Sequence, residues 1–442
     1  MLGMGKRRQG RCLGLCGSLL LATAILPGAA DGATEGEGLA LTLEDAAREV
    51  VNWHPSVTEA IGRLNARTED IDVAKAGYRP QISVGIGSTY DNTLRGNWRP
   101  RPNVSASQML YDFGKVSSTV AISRAGTKMG QAQLLLAVDS LIRDTNYAVI
   151  EVQRGAALRT VALAQLETIS SISAMVHHRY ERGAATRSDA LQAQARVQAA
   201  SATIAEIAAE QKRWDSNLTY LLGRETTPQV SPDVPEWYSV ACAQEEPDWP
   251  SVPAIMFAEA ERKQALAELD LSKAERMPTV SVGANGAADF QHPFTNRSQY
   301  SFGINVSSDL YNGGAFGARA RGAAYTVEAA DAAAANAQNE ASRQLAEAQR
   351  QVASYTDVLN MLVSREDSMS ETGRLYRLQY LEMGTRTLVD LLNAEQELHQ
   401  VRFNMVNTAH DLRRLQADCL FNSGSARRAF ALDGMVIQGV RL

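Results

Sequence analysis

The chain has 442 residues, of which 45% are hydrophobic and 21% charged, and its formal net charge at pH 7 is −5. This acidic balance excludes nucleic acid as a partner, because the phosphate backbone is bound by a basic surface. Beyond the N-terminus no run of 18 uninterrupted apolar residues occurs, so no membrane-spanning helix is predicted, and entry into a membrane would require a β-barrel.

Residues 1–30 have the features of a secretory signal peptide. Four basic residues precede a short apolar run over 12–26, and small residues at 28–30 precede an expected cleavage before Asp31. The alternative, a membrane anchor, needs about 20 apolar residues, and this run is shorter. Removing the signal changes the count from 44 basic and 49 acidic residues to 40 and 49, so we expect an exported chain with a net charge of about −9.

A first repeat, residues 31–230, opens with two predicted helices. Thr42 precedes the first of them and can accept a hydrogen bond from the backbone of Asp45, an approximate capping box. Pro55 begins the second helix, which is expected to run to about Gly77.

After Pro80 the periodicity changes from helical to alternating, which predicts strands near 80–91 and 102–111. One face of the first strand is apolar and carries Ile82, Val84 and Ile86. The following sequence is rich in Ala, Gln, Leu, Glu and Arg, and predicts helices over about 114–178 and 187–222 that form a hairpin with its tip at 182–188. A helix of some 65 residues spans roughly 100 Å.

The strongest signal is an internal duplication. Residues 55–85 align without a gap to 253–283, at an offset of 198. A proline-rich linker over 231–250 separates the first repeat from a second one, residues 251–422. The second repeat predicts strands near 278–289 and 299–310, then helices over about 314–378 and 386–421 with a tip at 382–387. No interpretation is offered for the C-terminal tail, 423–442.

The strand pattern favours a transmembrane barrel. Strands of 9–11 residues that are apolar on one side and polar or glycine on the other match such a barrel, whereas a soluble sheet would need a second apolar layer that the chain does not supply. Four strands cannot close a barrel, so three chains with twelve strands are expected. From the helices alone, a coiled-coil stalk is an equal alternative.

Chemistry-bearing residues are few. Cys242 and Cys419 survive in the mature chain, where an oxidising compartment permits a disulfide, and two unpaired thiols are the alternative. His177 and His178 are interpreted as surface residues, since adjacent histidines point in different directions on a helix. With no nucleophile–base set, no metal site and no cofactor predicted, the chain is not expected to be an enzyme.

The chain resembles the TolC-like outer-membrane factors over nearly all of residues 40–422. The resemblance is carried by LTLEDAAREVVNWHP at the start, the strand starts around Pro80 and Pro278, the LYDFG and LYNGG junctions, and the tip motif MGTRTLVDLLNAEQEL at 383–398. It implies an α+β membrane protein: a homotrimer whose twelve-stranded barrel sits in the outer membrane, continuous with a helical barrel of duplicated hairpins through the periplasm.

The resemblance also implies a function and partners. It implies a passive exit duct of type I secretion, tripartite efflux or both, opened by a periplasmic adaptor and an inner-membrane ABC or proton-driven transporter, with outer-membrane lipid around the barrel. A structural trimeric stalk or adhesin without a transport role is the alternative function. The cargo is left open between secreted proteins and small toxic compounds.

The family's periplasmic gate maps onto polar residues near the tips: Asp189, Arg386, Asp390, Asn393 and Tyr380. Asn393 stands where the pattern often has an acidic residue, and Leu381 stands where it has a tyrosine, with Tyr380 adjacent. Arg386 and Asp390 are expected one helical turn apart on one face, with Arg386 between the two carboxylates.

The resemblance places two further sets of residues. Adaptor docking is expected at the tip residues Gly183, Ala184, Met383, Gly384 and Thr385. Cys242 and Cys419 are expected in a mid-height belt, where the family folds its linker and C-terminal segment.

Overall fold

A computed structural model describes residues 40–89, 99–243, 247–288 and 299–442. The predicted signal peptide and most of the two predicted loops between strands lie outside the described residues. No helix among the described residues is long and apolar enough to span a bilayer.

From the second helix onward, the elements of the first repeat recur in the same order in the second, and the first helix has no counterpart there among the described residues. The first repeat contains α1 (Leu43–Trp53), α2 (Pro55–Lys75), β1 (Gln81–Thr89), β2 (Arg99–Tyr111), α3 (Lys115–Glu181) and α4 (Arg187–Leu222). The linker contains the short α5 (Glu236–Ser239). The second repeat contains α6 (Pro253–Ala274), β3 (Thr279–Ala287), β4 (Gln299–Ser307), α7 (Ala315–Leu378) and α8 (Leu388–Asn422), followed by α9 (Ala426–Ala429), β5 (Val436–Ile437) and β6 (Val440–Arg441).

Polar side chains accept hydrogen bonds from free backbone N–H groups at several helix starts. At α1 the predicted cap is confirmed, since the Thr42 hydroxyl accepts from the Asp45 backbone N–H at 3.1 Å. The carboxylate of Asp112 accepts from the first backbone N–H groups of α3, at 2.6 Å from Val116. In the second repeat Asn312 accepts from Phe316 at 3.2 Å. Each long helix therefore starts directly after its strand, on a side chain that satisfies its free N–H groups.

The four strands β1 to β4 form one antiparallel sheet in sequence order. Gln81 lies opposite Ser107 in the first pair, Ser105 opposite Asn285 in the second, and Val280 opposite Val306 in the third. The pairing of β2 with β3 joins the two repeats into a single sheet. Because the order is β1-β2-β3-β4, β1 and β4 are its two edges.

The two longest helices make most of the helix contacts. Helix α3 packs against α2, α4, α6 and α8, and α7 packs against α6 and α8. Close approach is possible where a helix lacks a side chain: a Cβ at Gly155 of α3 would lie 3.1 Å from Gln211 of α4. The two hairpins, α3–α4 and α7–α8, thus lie side by side through the contact of α3 with α8.

The largest apolar cluster, which we call the belt core, surrounds the middle of α3. It gathers α1, the start of α2, the ends of α4 and α8, the linker and the tail, and its largest buried side chains include Leu43, Leu134, Ile142, Ile150, Leu218, Tyr238, Phe430 and Leu432. The C-terminal tail, which the sequence left without an interpretation, is therefore part of the main core. Its last residues turn back as a β5–β6 hairpin.

Within the belt the structure joins Cys242 of the linker to Cys419 of α8 in a disulfide, with Cα atoms 5.3 Å apart. Leu345 and Ala348 of α7 are buried against it. The bond therefore ties the segment between the repeats to the end of the second repeat, in contact with α7.

Candidate functional site

One face of the sheet is apolar, and among the described residues nothing is packed on it. The apolar side chains of β1 and β4 alternate with polar residues or glycine and are largely exposed, from 63% at Val306 to 92% at Tyr300; they are Ile82, Val84, Ile86, Tyr300, Phe302, Ile304 and Val306. Soluble monomers rarely expose a contiguous apolar patch of this kind, which marks an interaction with a membrane or another protein.

The other face of the sheet is polar. Ser83 and Ser105 share a hydrogen bond of 2.5 Å across β1 and β2. Gly85 of β1 and Gly283 of β3 lie on the same face as these serines. The two edge strands, β1 and β4, have no further strand beside them among the described residues, so each leaves a row of backbone N–H and C=O groups unpaired within the chain.

At the opposite ends of the long helices, the two hairpin tips are built alike. Thr186 and Thr387 are N-caps of α4 and α8, and each forms a full capping box with the aspartate three residues later, Asp189 and Asp390. Hydrogen bonds from the Thr387 backbone N–H and hydroxyl, and then the charge of Arg386, lower the pKa of Asp390. Both aspartates therefore first serve to start a helix.

The expected placement of Arg386 on a helix face is wrong. Thr387 has extended backbone angles as the N-cap, so α8 begins at Leu388 and Arg386 lies in the turn before it. Its guanidinium lies 4.5 Å from the centre of the Tyr376 ring and donates to Gln379 at 3.1 Å. Within the described residues it pairs with neither Asp189 nor Asp390.

Tyr380 occupies the contact between the two hairpins. A π-helical turn, Gln379–Met383, follows α7 and buries Tyr380 to 8% exposure while Leu381 stays 42% exposed. The Tyr380 ring packs in a cluster from both hairpins: Ile172, Val176, Ala193, Leu388, Leu391 and Leu392. Burial, together with the nearby charge of Asp189, raises the pKa of the Tyr380 hydroxyl.

Two arginines that the sequence reasoning missed connect the hairpins. Arg179 of α3 lies 4.9 Å from the centre of the Tyr380 ring and donates to the Tyr380 carbonyl at 3.3 Å. Arg196 of α4 donates to Gln396 at 2.5 Å and to Asn393 at 3.4 Å. Nothing in the sequence pattern singles out either arginine, because each partner lies about 200 residues away. We call these contacts the tip clamp.

The five residues expected to dock an adaptor, Gly183, Ala184, Met383, Gly384 and Thr385, are all exposed in the two turns. Gly183 and Gly384 have φ of 74° and 63°, which L side chains rarely adopt. The two turns therefore share a glycine with a left-handed backbone, and the π-helical turn and Arg386 distinguish the second from the first.

His399 of α8 is a buried imidazole whose two nitrogens have no hydrogen-bond partner among the described residues. Burial, and then the charge of Arg402, lowers its pKa to about 4. Because this pKa lies below its usual value of 6.5, the stability that the neutral ring allows above pH 6.5 is lost as pH falls towards 4.

We expect His399→Leu to raise the free energy of unfolding by about 1–3 kcal/mol at pH 7, since it removes an unsatisfied buried group. The variant should also lose less stability between pH 6.5 and 4 than the natural chain. Denaturant unfolding at both pH values measures this, with the exposed His178→Leu as the matched control. An equal pH dependence in the two variants would contradict the assignment.

The remaining described residues offer no cluster of three or more His, Cys, Asp or Glu side chains suited to a metal ion. A sheet with an exposed apolar face, joined to two long helical hairpins with clamped tips, defines the subunit of an elongated membrane channel. The family model for outer membrane efflux proteins matches residues 47–224 and 251–418. The chain therefore belongs to the outer membrane efflux protein family.

Individual relatives agree with this assignment. The chain is 22% identical over 416 residues to the outer membrane efflux protein BepC of Brucella suis, covering 90% of this chain and 88% of BepC. It is 24% identical over 372 residues to protein CyaE of Bordetella pertussis, covering 75% and 78%. The protein is thus an outer-membrane channel that extends into the periplasm, of a family of channel-forming proteins and not of enzymes.

Solved structures share the fold. The structure of CusC superimposes with a TM-score of 0.77 at 16% identity, covering 87% of this chain and 92% of CusC. VceC of Vibrio cholerae gives a TM-score of 0.77 at 17% identity, covering 86% and 96%. At these identities the likeness carries the fold alone.

Proposed function

We propose that the protein is a homotrimeric channel-tunnel that acts as the passive exit duct of a type I secretion or tripartite efflux system. The observation that carries the proposal is the four-stranded sheet with an exposed apolar face and two unpaired edges. Since β1 and β4 run in opposite directions, β4 of one copy can pair antiparallel with β1 of the next. Three copies then give a twelve-stranded barrel without edges, with its apolar face towards lipid.

The domain plan supports the same proposal. A signal peptide over 1–30, repeats over 31–230 and 251–422, a linker over 231–250 within the belt, and a C-terminal tail over 423–442 would place each strand pair in the membrane and each hairpin in the periplasm. A periplasmic adaptor would dock at the exposed turns, and an inner-membrane transporter would supply the energy. Among the described residues we identify no catalytic residues with which the chain could supply this energy itself.

Trimer migration and pore conductance test the proposal together. The purified protein should migrate as a trimer that dissociates on heating, and should conduct in planar bilayers. A non-conducting protein would overturn the duct and favour the structural stalk. A deletion strain distinguishes the two transport systems. Loss of a secreted protein indicates type I secretion, and drug sensitivity indicates efflux.

We further propose that the tips form the gate, with the tip clamp, Asp189, Asp390 and Arg386 holding the entrance closed. Partly exposed charged contacts contribute about 0–1 kcal/mol each. A gate built from several of them opens when a docking partner competes for the same groups. Here Tyr380 contributes its ring and carbonyl as the contact point for Arg179.

We expect Arg179→Gln, Arg386→Ser and Asp189→Ala each to raise the open fraction of the channel in planar bilayers by up to about fivefold, since 1.4 kcal/mol corresponds to a tenfold change. Asp189→Asn separates charge from capping, because an amide oxygen can still accept from Thr186. The matched control is Arg374→Gln, which removes an exposed arginine paired with Glu371 on the same hairpin. Unchanged conductance in the first three variants would refute the gate assignment.

A further inference from the structure

A cavity of about 700 Å³ lies beside the belt core and has no role in conduction as proposed above. Its walls come from the middle of α3, the end of α4, residues 227–232 and the end of α8. All four walls belong to one chain. Its volume is in the range of pockets that bind small organic molecules.

One wall carries an arginine without a counter-charge. Arg413 of α8 lies in the α3–α8 contact, and its Nη1 donates to Gln153 and to His410, both at 3.3 Å. Among the described residues no carboxylate lies within ion-pair distance of it, although its neighbours Arg154 and Arg414 both reach acidic partners. Burial lowers the pKa of Arg413, which shows the cost of keeping this guanidinium charged.

The wall formed by α4 carries a carboxylate without a counter-charge. Asp215 of α4 lines the same cavity, and within the described part of the chain it forms no ion pair. Burial raises its pKa. Arg413 and Asp215 therefore face one cavity with opposite charges and do not neutralise each other. A half-buried charge is stabilised when a ligand brings the opposite charge to it.

The other groups in the cavity are neutral and held in place. Gln153 donates to the carbonyl of Ser231 at 2.7 Å, and residues 229–231 are fixed to Leu41 by two backbone hydrogen bonds. His410 donates from Nδ1 to the Val406 carbonyl at 2.7 Å, so its Nε2 accepts from Arg413. Burial lowers the pKa of His410 to about 4, so the ring is uncharged at pH 7. The cavity thus presents one positive and one negative group among neutral polar and apolar side chains.

We propose that this cavity binds a zwitterionic amino-acid or short-peptide group, whose carboxylate pairs with Arg413 and whose ammonium pairs with Asp215. A phosphate or other simple anion fits less well, because Asp215 repels it. A cationic compound is repelled by Arg413. Two sources in the periplasm carry this chemistry, namely free small peptides and the peptide stems of the cell wall.

The test uses the full-length protein in detergent and L-alanyl-L-alanine as the probe, with binding followed by calorimetry or saturation-transfer NMR. The N-acetylated dipeptide lacks the ammonium, and the C-terminal amide lacks the carboxylate. We expect the free dipeptide to bind saturably, and each blocked form to bind at least tenfold more weakly.

Two variants assign the ends of the ligand. Arg413→Gln should weaken the free dipeptide about tenfold and should not weaken the C-terminal amide, whose binding should instead improve because this cationic form is no longer repelled by Arg413. Asp215→Asn should weaken the free dipeptide and should not weaken the N-acetylated form, whose binding should instead improve because this anionic form is no longer repelled by Asp215. Arg402→Gln is the matched control, since Arg402 lies on the same helix but pairs with Glu366 outside the cavity.

No saturable binding of the free dipeptide would overturn the proposal. So would equal weakening of free and blocked dipeptides by either variant, or an effect of Arg402→Gln as large as that of Arg413→Gln. If Arg413→Gln fails to fold, the affinities of the natural chain for the free and the two blocked dipeptides test the proposal by themselves. Soluble cell-wall stem peptides are then compared with alanyl-alanine, and tighter binding of one of them identifies the source.

Discussion

Removing the Cys242–Cys419 disulfide is expected to lower the free energy of unfolding by about 4–5 kcal/mol. The bond has a sequence separation of 177 residues, and in the chain-entropy model closing so long a loop removes much of the freedom of the unfolded chain. The bond also positions Cys242 where its carbonyl accepts from Gln349 of α7 at 3.2 Å. Its loss should therefore loosen the contact of the linker with α7 as well.

The measurement is the midpoint of denaturant unfolding for the double variant Cys242→Ala, Cys419→Ala, with and without reductant. Alanine is chosen because Cys419 is fully buried and a serine hydroxyl there would add an unsatisfied group. The natural chain should lose stability on reduction and the variant should not respond. A variant that unfolds at the same midpoint as the oxidised natural chain would show that the bond contributes nothing.

The sequence predicted the architecture because the signals for it are local or repeated. The alternation after Pro80 and Pro278 predicts strands, and the structure places β1 and β3 directly after these prolines. The duplication then predicts that each feature of one repeat has a counterpart in the other. Closure of the proposed barrel would depend on other copies of the chain, and no pattern within one chain determines it.

At the tips, the sequence carried a signal that was interpreted too narrowly. The spacing Thr-x-x-Asp at Thr186 and Thr387 is a capping-box pattern, and it explains both aspartates before any gate is considered. Arg386 and Asp390 do not share one turn of helix, because the cap between them, Thr387, has extended backbone angles. The capping pattern, applied first, would have placed Arg386 outside α8.

The tip clamp had no such signal. Tyr380 reaches the contact between the hairpins within a π-helical turn, whose extra residue per turn changes which side chain faces inward. This explains why Tyr380 is buried and Leu381 is not, although the family pattern has its tyrosine at the latter position. Arg179 then finds its partner 201 residues away. Such a contact follows from packing, and spacing along the chain does not reveal it.

The second large effect is expected from Arg427→Met, which should lower the free energy of unfolding by about 3–5 kcal/mol. Arg427 of the tail pairs with Asp139 of α3, and their side chains are only 6% and 0% exposed. Arg427 also donates to the Ser251 carbonyl at 3.1 Å, so it joins the tail, α3 and the start of the second repeat. Burial already raises the pKa of Asp139 to about 7 beside Arg427, so without Arg427 the carboxyl is left buried with no partner and must take up a proton, which costs more than losing an exposed pair.

A double-mutant cycle separates the cost of an unpaired charge from the value of the pair. Arg427→Met combined with Asp139→Leu should recover most of the lost stability, because apolar side chains of similar volume can replace a buried pair at little cost. The exposed pair Arg343–Glu340 of α7 is the matched control, and Arg343→Met should leave the free energy of unfolding nearly unchanged. If the double variant were as unstable as Arg427→Met alone, we would conclude that the packing of Phe430 and Leu432 holds the tail. The ion pair would then add no stability of its own. Recovery would instead show that the charges of Arg427 and Asp139, which lie 288 residues apart in the chain, determine where the tail lies.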